Sequence, residues 1–317
     1  MENLIAPIGP TMSGFSVPVF LRTAAATALF GSVLALPGCG SSDGGNDGAT
    51  TGTLSLGVTD APVDEADKVV VRFDAVEIKP ADGESRTFTF DSAQSIDLLA
   101  QQGENSASLL VSEEVAAGDY NWIRLHITAN QSPTDSYIDI AASRHSLFIP
   151  SAKNTGLKLV RGFTVPANGT ADFTVDFDLR KSLVKPGQSG NHYILKPAMR
   201  LVDNSEVGHI ATDVTIITTC HTPAIYVFDA VEVTPDDLDT GTDQDTDPVT
   251  TANLADADGD GTHTSTAGFL TAGTYTVAFT CEAANDVSDA NDNLAFEGAK
   301  DVEVQAHQTA TYSHSVQ

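Results

Sequence analysis

Asp172-Phe173-Thr174-Val175-Asp176-Phe177-Asp178-Leu179 alternates polar and apolar side chains without a break. Successive side chains on a strand point to opposite faces, so Phe173, Val175, Phe177 and Leu179 share one face while Asp172, Thr174, Asp176 and Asp178 share the other. The first set predicts a core and the second a polar surface. Working outward, similar segments fall at 53–58, 68–73, 86–90, 122–128, 156–160 and 193–201, and again at 214–218, 225–233, 275–280, 300–304 and 309–315. Turn residues separate them, as in a sandwich. The expected fold class is all-β: two antiparallel β-sandwich domains in tandem after a lipoprotein signal and a flexible tether. One short helix is expected over 92–102, where Ile96 and Leu99 fall at helical spacing and Gly103 follows.

The chain has 317 residues, 16 Lys and Arg against 43 Asp and Glu, and a net charge of −27. Phosphate recognition needs clustered bases, so nucleic acid is excluded as a partner, and anionic headgroups would repel the surface. The imbalance is uneven. From Gly208 onward there is one base, Lys300, against 19 acids; residues 40–207 hold 14 bases and 23 acids. The expected domains are 53–207 and an acidic module, 208–317.

The N-terminal region reads as an export signal over 1–38. Residues 24–36 (AAATALFGSVLAL) carry no charge and are short for a membrane span. Leu36-Pro37-Gly38-Cys39 resembles the lipobox of bacterial lipoproteins, which implies cleavage before Cys39 and lipidation of its thiol and amine. Arg22 is the only base before the apolar run, a departure from the usual positive end, and Met12 is an alternative start. An ordinary cleaved signal and an uncleaved anchor are the alternatives. The implied partner is the lipid bilayer through Cys39; Gly40 and Ser41 carry no Asp retention signal, which favours the outer membrane where a cell has one. Residues 39–52 are the lipidated Cys and tether, since a Gly, Ser, Asp and Thr stretch cannot bury enough to order itself.

A series of motifs carries a further resemblance. Thr59-Asp60-Ala61-Pro62, Ala117-Gly118-Asp119-Tyr120 before Ile123-Arg124-Leu125, Ile149-Pro150-Ser151 with Gly156-Leu157-Lys158-Leu159, Asp176 to Ser182, and Tyr193-Ile194-Leu195-Lys196-Pro197 occur in order. Residues 53–203 thereby resemble the bacterial lipoprotein family catalogued as domain of unknown function 4382. The resemblance implies an exported β-rich domain and carries no catalytic residue or ligand. The module after 208 is similar in pattern to transthyretin-like or carboxypeptidase-regulatory-like sandwiches, without a specific motif.

An internal comparison links the modules. Residues 73–80 (FDAVEIKP) recur as 228–235 (FDAVEVTP), and Ala117-Gly118-Asp119-Tyr120 as Ala272-Gly273-Thr274-Tyr275, both 155 residues on. A shared offset is what a diverged duplication leaves. Convergence on a common turn into a strand is the alternative.

Four groups of side chains are candidates for chemistry. With Cys39 lipidated, Cys220 and Cys281 form an even pair in an oxidising compartment, and a bridge is expected; two buried thiols are the alternative. Asp256-Ala257-Asp258-Gly259-Asp260-Gly261 places carboxylates at positions 1, 3 and 5 of a calcium loop, with the Thr262 carbonyl at 7. Ala267 stands where a bidentate Glu belongs, so the motif is incomplete; the neighbouring acids from Asp236 to Asp247 are the expected supplement, and a solvated acidic loop is the bland reading. Trp122, Arg124 and His126 project together opposite Ile123, Leu125 and Ile127, as a sugar-stacking platform or an edge cover. On the Asp172, Asp176 and Asp178 face, Arg124 and Arg180 are the expected salt partners. His residues show no paired zinc spacing, and Gly187-Gln188-Ser189-Gly190 reads as a turn.

These readings point to an extracytoplasmic lipoprotein with a non-catalytic binding or adhesion role, its partner unknown or a glycan. A calcium-stabilised spacer is the alternative. A hydrolase is the remote one, because no acid and base visibly converge.

Overall fold

The computed structural model describes residues 50–61, 66–150, 152, 155–184, 192–217, 219–239, 247–288 and 290–316. The signal, Cys39, the tether up to residue 49, Pro62, Ser151, the 187–190 turn, Asp243 and Asp245 lie outside them. No helix among the described residues is long and apolar enough to cross a membrane.

The first sandwich begins with β1 (Thr51–Ala61), β2 (Lys68–Pro80), β3 (Arg86–Asp97), β4 (Ala107–Ala116), β5 (Gly118–Thr128), β6 (Tyr137–Ile140) and β7 (Ser143–Phe148). It continues with β8 (Leu157–Leu159), β9 (Phe163–Val165), β10 (Thr170–Asp178), the single helical turn α1 (Leu179–Ser182), β11 (Leu183–Val184), β12 (His192–Leu195) and β13 (Ala198–Asp203). One sheet runs β13-β10-β1-β4 and the other β11-β12-β7-β6-β2-β5-β8, with β3 on β2 and β9 on β5. Most pairs are antiparallel, while β1 with β10 and β7 with β12 are parallel.

Phe173, Val175, Phe177 and Leu179 are all buried in the core, as their alternation requires. The opposite face is not solvent along its length. Asp172 is exposed, but Thr174 and Asp176 are buried, Asp176 beside the second sandwich, which covers this end of β10. Two local expectations also change. Thr51 and Gly52, read as tether, belong to β1, because a Cβ at Gly52 would lie 2.4 Å from the Pro166 carbonyl and only glycine permits that approach. The 92–102 helix is a strand to Asp97 and a 3-10 turn over Leu98–Ala100. Ile96, paired with Val71 of β2, and Leu98, in the turn, both enter the core.

The second sandwich holds β14 (Val207–Ile216), β15 (Ala224–Phe228), β16 (Thr250–Asn253), β17 (Thr262–Thr271), β18 (Gly273–Thr280), β19 (Phe296–Val304) and β20 (Thr309–Val316). Its sheets run β17-β14-β20 and β16-β15-β18-β19 around Ile210, Val214, Val227, Leu270, Phe279 and Tyr312. The Cys220–Cys281 disulfide is formed. β15 stops at Phe228 rather than 233: the chain bends so that the Ala230 carbonyl accepts from the Thr276 amide, and Val231 is left exposed.

The two sandwiches share one plan. β1 is antiparallel to β4 and parallel to β10; β14 is antiparallel to β17 and parallel to β20. β4 and β17 are both ten residues long, and each turns into the next strand at a glycine. Gly118 pairs with Val165 and Gly273 with Val304. Before each parallel strand comes the same turn: Asn168 at φ 55° and His307 at φ 59°, their amides donating to the Thr51 and Val207 carbonyls. Gly208 repeats the role of Gly52, with a Cβ position 2.3 Å from the Gln305 carbonyl. A diverged duplication accounts for all of these together, whereas convergence on one turn accounts for one. Of the two sequence repeats, only the Ala-Gly-x-Tyr pair is structurally equivalent; 73–80 lies within β2, and 228–235 leaves the sheet after its first residue.

The sandwiches meet through specific contacts. The Gly268 Cβ position would fall 1.8 Å from the Gly103 carbonyl, so two backbones touch where no side chain fits. Arg180, 6% exposed, donates to the Ala283 carbonyl at 2.8 Å, to Asn253 Oδ1 at 2.9 Å and to Thr251 Oγ1 at 3.2 Å. Lys181 reaches the Pro248 carbonyl, and Thr309 donates to Glu104.

Candidate functional site

Where β1 runs out at the junction, a cleft of about 640 Å³ opens between the sandwiches. Thr59 and Asp60 from β1 and Asn105 from the loop before β4 form one side; Thr212 of β14, Asn253 of β16 and Phe269 of β17 form part of the other. The Thr59 hydroxyl is 2.7 Å from the Gln101 carbonyl and 2.8 Å from that of Asn105, so it pins the loop.

Asp60 is the distinctive group. It is 5% exposed, its Oδ1 accepts from the Leu179 amide at 3.3 Å, and its Oδ2 has no partner. Burial, with Asp176 and Asp178 adding repulsion, pushes its carboxyl well above the ordinary aspartate range, and the Leu179 and Ala61 amides oppose this only in part. Asp176 differs: burial raises it also, but Arg200 counters with a 2.7 Å ion pair. The neighbouring acids therefore have unlike surroundings. Asp60 sits in the Thr59-Asp60 motif and Asp176 in the alternating strand, but nothing in the sequence shows that a second sandwich closes over both.

The salt partners expected for the aspartate face are otherwise distributed. Asp172 accepts from Asn204, Asp178 caps α1 through the Lys181 amide, and Arg180 is drawn into the second sandwich. Arg124 pairs with Glu77 at 2.9 Å, because β2 lies beside β5 and places that carboxylate directly across from it.

Trp122, Arg124 and His126 do lie on one face, opposite the buried Ile123, Leu125 and Ile127. His126 shares Glu77 Oε2 with Arg124, at 3.0 Å. Burial disfavours the Glu77 charge, yet Ser85, His126 and Arg124 together hold its carboxyl below the ordinary glutamate range. Arg124 and Lys158 stand 4.5 and 4.6 Å from the Trp122 ring, so the indole already carries cations.

The Asp256, Asp258 and Asp260 carboxylates converge within 4.8 Å. They are used locally: Asp256 accepts from the Gly259 and Gly261 amides, Asp258 from Asp260 and Asp260 from Thr262. Gly259 and Gly261 take positive φ of 77° and 87°, which suits glycine there. A second grouping, Asp237, Asp286 and Asp292, also lies within 4.8 Å and is more enclosed. Asp237 joins these two instead of supplementing the 256–260 loop, because the chain after β15 folds towards the segment between β18 and β19. Burial raises the Asp237 and Asp286 carboxyls.

This architecture defines an all-β protein of two linked sandwiches with a polar cleft at their junction. The model of a family described as a domain of unknown function (DUF4382) matches residues 51–197, most of the first sandwich. No curated protein matches significantly. Among solved structures, a leucine-rich repeat protein from Bacteroides thetaiotaomicron is similar over 84% of this chain and 26% of its own, at 11% identity and TM-score 0.23. The TIE protein of Bacillus anthracis is similar over 84% and 34%, at 11% identity and TM-score 0.19. This chain thus spans about a quarter to a third of those two. A candidate cell adhesion protein from Bacteroides fragilis is similar over 84% and 91%, at 10% identity and TM-score 0.22. Overlaps of this quality assign no function.

Proposed function

We propose that the protein is a lipid-anchored, extracytoplasmic binding protein that takes a neutral, hydroxyl-rich ligand such as a surface glycan into the junction cleft. The observation that carries this reading is the buried Asp60 carboxyl, one oxygen of which has no partner, in the wall of a cleft lined by threonine hydroxyls and asparagine amides. Such groups exchange hydrogen bonds with sugar hydroxyls, and the ring of Phe269 offers an apolar contact. The surrounding acids, Glu104, Asp176 and Asp213, select against anionic ligands. The Leu36-Pro37-Gly38-Cys39 signal supports anchoring at Cys39.

Binding of the full chain to neutral oligosaccharides, screened on an array and measured by calorimetry, tests the reading. Asp60→Asn should weaken the interaction at least tenfold while the chain stays folded. Absence of any neutral glycan ligand, or an unchanged affinity in Asp60→Asn, overturns it. For the anchor, Cys39→Ser should abolish incorporation of labelled fatty acid and release the chain from membranes.

A hydrolase is favoured by one observation, the unlike environments of Asp60 and Asp176 in one cleft. Release of reducing ends from a bound glycan, lost in Asp176→Asn, would replace binding with catalysis.

A further inference from the structure

Asp237, Asp286 and Asp292 reach one point from three places: the stretch after β15, the end of the 3-10 turn Ala283–Asn285, and the loop before β19. One oxygen from each lies within 4.8 Å of the others. Oxygens on a single calcium ion, at about 2.3–2.6 Å from it, stand no more than about 5 Å apart, so this spacing suits a shared ion.

An unsatisfied buried atom points the same way. Asp237 is 2% exposed; its Oδ2 accepts from the Asp292 amide at 2.5 Å, and its Oδ1 has no partner. A buried carboxylate oxygen facing nothing costs free energy that a cation would return. The other two carboxylates are held in place. Asp286 accepts from the Tyr226 hydroxyl and the Leu238 amide, and Asp292 accepts from the Val287 amide at 2.7 Å. Tyr226 is itself fully buried, with the Arg180 guanidinium 5.9 Å from its ring centre. Three carboxylates beside that guanidinium gather an excess of negative charge, which a divalent ion offsets.

We propose that Asp237, Asp286 and Asp292 form a calcium site that ties the chain after β15 to the segment between β18 and β19. All three donors are hard oxygens, which suits calcium over zinc. The site is separate from the 256–260 loop, whose carboxylates are turned onto that loop's own amides. None of its three carboxylates lines the cleft.

Calcium alone is titrated into the full chain, followed by thermal melting and calorimetry, with terbium in a parallel series. Calcium should raise the melting temperature reversibly on chelation, and terbium should emit on tyrosine excitation because Tyr226 adjoins the site. Asp292→Asn should weaken calcium binding at least tenfold, while Asp258→Asn leaves it within twofold. Asp237→Asn reads the same loss should Asp292→Asn fail to fold. No binding up to about 10 mM, above the weak extracellular class, overturns the proposal. So does binding that Asp258→Asn abolishes and Asp292→Asn and Asp237→Asn preserve.

Discussion

Tyr120 and Tyr275, 155 residues apart, make the same hydrogen bond: each hydroxyl donates to the carbonyl four residues earlier, Ala116 at 2.8 Å and Thr271 at 2.6 Å. Both rings are buried, at 4% and 5% exposure, and burial raises both phenols above their ordinary range. Tyr120→Phe and Tyr275→Phe should each cost about 1 kcal/mol, read from urea unfolding midpoints. A clear loss at one tyrosine and none at the other would break the equivalence of the two sandwiches.

Arg180 should decide whether the sandwiches melt as one. Its guanidinium belongs to the first sandwich by sequence and to the second by its hydrogen bonds with Ala283, Asn253 and Thr251. Arg180→Ala removes the charge-assisted bonds, worth about 1.5–3 kcal/mol each in general though far from additive. Calorimetry should then resolve two transitions where the parent chain shows one. A single undivided transition in the variant would contradict the clamp.

Asp60 should make stability depend on pH. Because burial raises its carboxyl, the folded chain holds this proton more tightly than the unfolded chain. The associated stability is fully present below about pH 4, the ordinary aspartate range, and is lost as pH rises through the raised value. Asp60→Asn keeps an oxygen for the Leu179 amide and removes the titration. Its melting temperature should exceed that of the parent at pH 8, with the gap closing towards pH 4. A gap that widens on acidification would reverse the assignment.

The Cys220–Cys281 bridge closes a separation of 61 residues, from the loop between β14 and β15 to the residue after β18. The chain-entropy model gives about 4 kcal/mol for a loop of that size. The Cys220→Ala, Cys281→Ala double variant should therefore melt well below the parent. Equal melting with and without reductant would show that the bridge contributes little.

What could be read beforehand depended on regular alternation. β10 and β5 keep a strict two-residue period, and their inward and outward residues were legible. β4 and β17 carry no continuous period, because each contains a bulge: Ser112 and Phe269 take positive φ, and the pairing register shifts beside them. A bulge inserts a residue and reverses the faces beyond it, which erases the period. The Asp256 loop was visible for the opposite reason, since its acids and glycines are consecutive. The Asp237, Asp286 and Asp292 grouping was invisible because three segments have to fold before its members meet.

By itself the sequence determined the β class, the core face of β10, the cysteine pair and the acidic turn at 256–261. Each is a local pattern or, for the cysteines, a matter of number and compartment. Only the tertiary structure decided that Asp176 is buried and paired with Arg200, that Arg180 joins the two sandwiches, and that Asp60, one oxygen unmatched, is buried in the wall of a cleft. Burial and charge pairing arise from residues brought together across the chain, and those distances exist only once both sandwiches have packed.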